Sequence, residues 1–347
     1  MSAFAQSTVT IDGLFDLAYA RQNGDHATYK LSTVNSTTGS ATSNVTFKVS
    51  EDMGGGTKAS IQYELDPRAS NLSSSNGPIS HQTFVALTGN AGTIKLGNIN
   101  GGALDAYGAA SPLGTALGSG YSATNNGVGM STRYAKSVKY ESPVINGLSF
   151  SFNHAPGADV ATAYVSAAQR KASDIGLKYS NGPLNIAFSQ LTQAASTNLV
   201  TATVVPAGVA QSKFSSAGIN YNLGEITLYA GWNNGDAQGA AASVAGMYPL
   251  QAIVANTKTK GTRSGIKYVT GPYTLIASTA SQDIVGNTSG AAKRKITGFR
   301  GEYALSKRSA VFSAFETFNT GVAAASASTT AEGGTIRTTS VGVRHSF

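Results

Sequence analysis

The feature that most limits what this 347-residue chain can fold into is an alternation on two scales. Runs of roughly ten residues alternate apolar and polar side chains, and the connections between runs are by turns very short and very long. In STVTIDGLFDLAYARQ, Val9, Ile11, Gly13, Phe15, Leu17 and Tyr19 share one parity, and Thr10, Asp12, Leu14, Asp16 and Ala18 the other. SNVTFKVS sets Val45, Phe47 and Val49 against Asn44, Thr46 and Lys48. KASIQYEL sets Ala59, Ile61, Tyr63 and Leu65 against Lys58, Ser60, Gln62 and Glu64. Side chains of a strand alternate across it, so each run has one apolar and one polar face. The last run, SVGVRHSF, carries the pattern to Phe347, where a chain end would ordinarily be polar and frayed. An apolar face that reaches the carboxylate needs a cover.

The connections say what the cover is. Short turns read as EDMGGG (51–56), TGNAG (88–92), PVING (143–147), SNGP (180–183), NLGE (222–225), TGP (270–272) and LSKRS (305–309). Between them lie long stretches of Ser, Thr, Asn, Gly and Ala at 22–42, 156–172, 192–212, 234–260 and 320–334. An up-and-down meander with tight turns at one end and long loops at the other is the pattern of a transmembrane β-barrel. Strand starts near 7, 43, 57, 80, 93, 132, 147, 172, 183, 213, 225, 261, 273, 293, 308 and 335 predict an all-β, 16-stranded antiparallel barrel. An even number of that size leaves an aqueous channel. A soluble β-sandwich would not need the turn asymmetry, and a β-solenoid would show a fixed repeat, which is missing here.

Composition agrees. Charged residues make up 12% of the chain, about half the usual ~25%. Mean hydropathy is only −0.07, as expected if half of each strand faces water inside a barrel. No stretch approaches the ~18 apolar residues of a membrane helix. Tyr19, Tyr63, Tyr140, Tyr179, Tyr221, Tyr268 and Tyr303 fall near strand ends on the apolar parity, where interfacial girdles sit. The start, SAFAQ, ends like a leader-peptide cleavage site with no apolar segment before it. Residues 1–6 are therefore read as a leader remnant, and 7–347 as one barrel domain of an exported protein.

Parity also sorts the charges. A charge at the midplane of the lipid face costs ~2–4 kcal/mol, so the lumen is the default. Lys48, Lys58, Lys95, Arg133, Lys139, Lys178, Arg263, Lys267 and Arg344 take lumen parity, opposed by Asp12, Asp16, Glu64 and Glu302. The stretch 98–130, NINGGALDAYGAASPLGTALGSGYSATNNGVGM, is longer than ordinary loops, and loops of that size tend to carry function. Its small residues suit packing within a lumen, and its one charge is Asp105. His26, His81, His154 and His345 lack metal-ligand spacing, so no metal and no cofactor is expected. There is no G-x-S-x-G elbow, no G-K-[ST] phosphate loop and no cysteine, and the net charge of +8 is dispersed. A hydrolase and a nucleic-acid binder are both disfavoured.

Together, VTIDGLFD, EDMGGGTKASIQYE (51–64), FVALTGNAGTIKLGN (84–98), RYAKSVKYESP (133–143), GLKYSNGPL (176–184), YALSKRSAVFSAF (303–315) and the terminal VGVRHSF resemble the Gram-negative general porin family in its β-proteobacterial branch. The resemblance implies a homotrimer of barrels in the outer membrane, among lipid and lipopolysaccharide, with the third extracellular loop (98–130) folded inward as a constriction. It implies that Phe347 is read by the barrel assembly machinery. It matches Lys48 to a basic position in the family's second strand, and Arg133 to the strand after the constriction loop. Asn44, Gln82 and Asn98 stand where the family often has arginine. The resulting expectation is passive diffusion of small hydrophilic solutes with a mild preference for anions. Lys48, Lys95, Arg133 and Lys139 would face Asp105 at the constriction; Asp12, Asp16, Glu64, Lys58 and Arg344 would act more weakly. A substrate-preferring porin for organic or phosphate-like anions, and a plugged barrel used as adhesin or enzyme, are the alternatives.

Overall fold

In the computed structural model the described residues are 7–25, 30–35, 43–67, 79–124, 130–156, 171–194, 211–237, 257–285, 292–319, 321 and 334–347. The first strands are β1 (Ser7–Gly24), β2 (Lys30–Asn35), β3 (Asn44–Gly54), β4 (Thr57–Asp66), β5 (Ile79–Gly89) and β6 (Gly92–Asn100). Helices α1 (Gly102–Ala110) and α2 (Tyr121–Thr124) follow. Then come β7 (Arg133–Glu141), β8 (Leu148–Ala155), β9 (Ala172–Asn181), β10 (Leu184–Ala194), β11 (Gln211–Leu223) and β12 (Ile226–Ala237). The last are β13 (Thr257–Thr270), β14 (Tyr273–Val285), β15 (Ala292–Ala304), β16 (Ser309–Asn319) and β17 (Thr335–Ser346).

Every strand from β3 onward pairs antiparallel with the next, and β17 returns to β1 over Leu14–Gly24 against Ser346–Ile336. Closure removes the free edges that an open sheet would present. Gly13 and Phe347 exchange two backbone hydrogen bonds at the seam, at 3.1 and 3.2 Å. A Cβ on Gly13 would lie 2.5 Å from the Phe347 ring and 2.7 Å from the Asn44 carbonyl, so the seam requires glycine. The closing ladder thus holds the chain end in place, while Val341, Val343 and Phe347 stay exposed on the apolar face.

Seventeen strands make sixteen staves. The other edge of β1 is shared: β3 takes Ser7–Leu14, and β2 takes Ala18–Asn23. The sequence reading places 22–42 in a loop, whereas β1 runs on to Gly24 and β2 returns beside it. Ser43, just before β3, bonds both the backbone N–H and the carbonyl of Asp16. Long strands beyond the bilayer cost little when they pair with a neighbour, and alternation alone does not mark where pairing stops.

The two faces follow the expected parities. Ile61, Val85, Leu96, Phe150, Ile175, Ile219, Leu228, Ile266, Leu275, Phe299 and Val341 are exposed. Asp16, Asn153, Asp174, Ser189, Ser216, Asn233, Arg263, Gln282, Arg300 and Glu316 are buried. The usual relation of apolar inside and polar outside is reversed, which suits a wall with lipid on its apolar side. Tyr19, Tyr63, Tyr221 and Tyr303 are among the exposed aromatics of that side.

Candidate functional site

The site is built by the segment between β6 and β7. The β6–β7 ladder shifts register between Gly97 and Ile99, and the chain leaves the wall after Asn100, which still pairs with Arg133. The segment then packs on the polar face of strands β9 to β16. The Gly101 N–H donates to the Thr132 carbonyl at 2.9 Å, tying the two feet together. The first turn of α1 rests on Asp174, which accepts the Ala103 N–H at 3.3 Å, the Ser189 hydroxyl at 2.6 Å and the Tyr134 hydroxyl at 3.2 Å. A carboxylate suits the unpaired N–H groups at a helix start.

Helix α1 lies close against the wall because both surfaces are small. A Cβ on Gly218 would run into the Ala106 carbonyl, and one on Gly231 into the Ala110 methyl group. Asn220 donates to the Ala109 carbonyl at 3.0 Å. Beyond α1 the segment folds on itself: Tyr107 donates to the Ser119 carbonyl at 2.7 Å and meets Tyr121 edge-on, with ring centres 4.9 Å apart. The Arg263 guanidinium lies 4.3 Å from the Tyr107 ring centre and donates to Thr124 Oγ1 at 3.1 Å. At the tip, the Gly118 N–H donates to the Glu316 carboxylate and the Ser278 hydroxyl donates to the Gly118 carbonyl. Burial pushes the Tyr107 hydroxyl up to about 12 and raises that of Tyr121, so both stay neutral donors.

This segment and the strands facing it line an open cavity of about 690 Å³. Leu104, Pro112, Leu113 and Tyr121 line the loop side. Glu64, His81 and Arg133 line one stretch of wall, and Lys267, Arg300, Glu302 and Arg344 the other. Four cations therefore face two carboxylates. Glu302 binds Arg344 at 3.0 Å and lies 3.7 Å from Arg300. The Arg300 guanidinium also stacks 4.7 Å from the Phe312 ring centre. His81 Nδ1 is 3.3 Å from Glu64. Arg133 donates from Nε to Asn100 at 2.7 Å.

The residues singled out in the sequence separate into two groups. Arg133, Glu64 and Arg344 come together at the cavity. Lys48, Lys95, Lys139 and Asp105 are instead engaged elsewhere on the polar face. Lys48 pairs with Asp12 at 2.7 Å. Lys95 and Lys139 share Glu141 at 2.6 and 2.9 Å, and Lys139 also donates to the Asn100 carbonyl. Asp105 pairs with Lys178 at 2.9 Å. Asp16 is buried beside Ser43, and exposed Lys58 lies in register with Asp52 at the short-turn end. Asn44 lines the cavity, while Gln82 and Asn98 bond backbone groups of Asn100 and His81.

Arg300 is the lining cation that the sequence reading does not single out. Its signal is present: it shares parity with Glu302 on β15, opposite exposed Phe299 and Tyr303. Parity tells which face a charge takes, though not which charges share a height around the barrel.

The comparisons agree with this geometry. The profile of the Gram-negative porin family matches residues 1–323. Outer membrane porin protein 32 of Delftia acidovorans is 27% identical over 250 residues, 68% of this chain and 63% of that protein. An outer membrane porin of Bordetella pertussis is 31% identical over 160 residues, 40% of this chain and 39% of the relative. The chain thus spans less than two thirds of the curated relatives it matches. Among solved structures, an anion-selective porin from Comamonas acidovorans superposes with a TM-score of 0.76 at 20% identity, covering 99% of this chain and 100% of that one. The trimer form of OmpT from Vibrio cholerae gives 0.65 at 13%, covering 98% and 99%. These likenesses establish the shared fold, a closed antiparallel barrel of 16 staves. With its profile matched over nearly the whole length, the chain belongs to the Gram-negative porin family of the outer membrane.

Proposed function

We propose that the protein is a passive-diffusion channel for small hydrophilic solutes with a mild preference for anions. The observation that carries the reading is the cavity's charge: Arg133, Lys267, Arg300 and Arg344 against Glu64 and Glu302. The polar face is the wall of a water-filled lumen, and the segment 98–130 is the inward-folded loop that narrows it. No covalent step is assigned to any residue. Selectivity is mild because each carboxylate lies within reach of a positive or protonatable partner and because wet charges are screened over ~8–10 Å. Asp105, held by Lys178, contributes little opposing field.

The description of the Comamonas relative as anion-selective supports the sign, and the trimer form of the Vibrio relative supports a homotrimer here. Phe347, ending the closing strand, is proposed as the signal for the barrel assembly machinery. The test is the zero-current potential of the refolded protein in a planar bilayer under a KCl gradient. Large conductance steps with a chloride-favouring potential are expected. A potassium-favouring potential would overturn the charge assignment, and the lack of steps would overturn the channel.

A further inference from the structure

One row of the polar face, across β13, β14 and β15, sets an apolar side chain between two cations. Lys267 lies opposite Ile276, and Ile276 lies opposite Arg300. All three line the cavity, and the loop adds Pro112 and Leu113 to its lining. A Cβ on Gly265, two residues from Lys267 on the same face, would come within 2.7 Å of the Pro112 ring, so Pro112 is seated beside the lysine's row. Leu113 is 4% exposed and lies against Gly118, the residue that Glu316 holds.

The charges of this row are short of partners. Among the described residues the Lys267 ammonium has neither an ion pair nor a hydrogen bond, whereas Arg133 is held by Asn100, and Arg300 and Arg344 share Glu302. Nε and Nη2 of Arg300 are buried without a hydrogen-bond partner. A cation stripped of water and short of acceptors favours an anion nearby. Chloride or phosphate answers the charges but leaves Ile276, Pro112 and Leu113 uncovered, and apolar surface gains only when carbon covers it. A dicarboxylate would set its second charge against that apolar surface and close to Glu302.

We infer that Lys267, Ile276, Pro112 and Leu113 form a subsite for monocarboxylates that carry a short apolar tail. The carboxylate pairs with the Lys267 ammonium in the field of Arg300 and Arg344, and the tail lies over Ile276 against Pro112 and Leu113. The inference rests on the channel reading for the entry of solutes into this cavity, and it adds the class of solute held there. Full removal of a methylene from water strengthens binding about fourfold, and half removal about twofold.

The test reads Lys267 on the unaltered protein. The refolded full chain, in detergent at constant ionic strength, is lightly acetylated in acetate, butyrate, hexanoate, succinate or chloride, and mass spectrometry of the digest gives the rate at each lysine. Butyrate should protect Lys267 at about four- to sixteenfold lower concentration than acetate, which has two methylenes fewer, and hexanoate at lower concentration still. Chloride and succinate should protect no better than acetate. Lys58, at the short-turn end of the wall, should react at one rate throughout. Ile276→Thr keeps a β-branched side chain in the strand while removing apolar surface, and should cut the butyrate-to-acetate ratio at least about twofold. Equal protection by acetate and butyrate would overturn the subsite, as would stronger protection by succinate. Protection of Lys58 in step with Lys267 would overturn it too, making the effect a general one. An unchanged ratio in Ile276→Thr would place the tail elsewhere and refute the assignment. The zero-current potential in KCl judges the channel separately. Conductance steps without the chain-length series would keep the channel and remove the subsite; the series without steps would keep the subsite and remove the channel.

Discussion

Replacing Arg133 by Gln isolates one charge of the cavity. Its Nε–H donates to the Asn100 amide oxygen at 2.7 Å, and Gln retains a donor there while deleting the charge. A sphere of 690 Å³ has a radius of about 5.5 Å, so an ion at its centre passes about 6 Å from the wall charges. At the dielectric constant of water a unit charge at that range is worth ~0.7 kcal/mol, and screening at 0.1 M salt reduces this to ~0.4 kcal/mol. Chloride gains this amount and potassium loses it, so the ratio of the two in the cavity changes about fourfold per charge. Arg133→Gln should therefore lower the chloride-to-potassium permeability ratio about fourfold, and Glu64→Gln should raise it by a similar factor. Zero-current potentials under a tenfold KCl gradient read both. Halving the salt on both sides should enlarge both effects. If neither variant moves the potential, ions do not pass this cavity; if Arg133→Gln favours chloride, the charge count is wrong.

Further outcomes follow from the anchors of the segment and from the seam. Glu316→Gln keeps the shape but removes the charge that accepts the Gly118 N–H. Hydrogen bonds to charged groups are worth ~1.5–3 kcal/mol, so displaced states of the segment should become at least about tenfold more frequent, seen as added open-channel noise. A quiet channel would refute the latch. Gly13→Ala forces a methyl against the Phe347 ring and the Asn44 carbonyl, and overpacking of this kind costs ~1–3 kcal/mol. The temperature at which the folded barrel loses its fast gel migration should fall, and an unchanged temperature would show that the seam relaxes freely. Burial raises the Tyr107 hydroxyl from its ordinary 10.0 to about 12, so the folded state favours the neutral phenol. Its contribution is intact below about pH 10 and is lost as pH rises toward about 12. Wild-type channel noise should climb across that window, and Tyr107→Phe should be flat across it.

Much of the architecture is legible in the sequence. The strand starts read from alternation lie close to those found, with 261 against Thr257 the widest offset. Lys48, Lys95, Lys139, Lys178, Arg263 and Arg344 sit on the polar face, as parity requires, since an unpaired charge in lipid is costly. What could not be read was association. Asp105 and Lys178 are 73 positions apart in sequence number and meet because α1 lies across β9. Lys95 and Lys139 turn toward Glu141, at the short-turn end of β7, rather than toward the cavity. Arg300 joins Arg133 across the lumen only because the barrel closes and the loop leaves that gap. β2 leaves no mark in the sequence for a related reason: a polar, Ser- and Thr-rich run becomes a strand when a long neighbour offers it an edge.

Local patterning thus sets the number and order of staves, which face of each is apolar, and which end carries the loops. Those properties rest on alternation between adjacent residues and on turn chemistry, both local. Which charges share a cavity, which neutralise one another, and where the 98–130 segment is pinned are set by long-range contact instead. Those depend on register and closure, which set the height and bearing of each side chain on the wall, and a two-residue period carries no record of either.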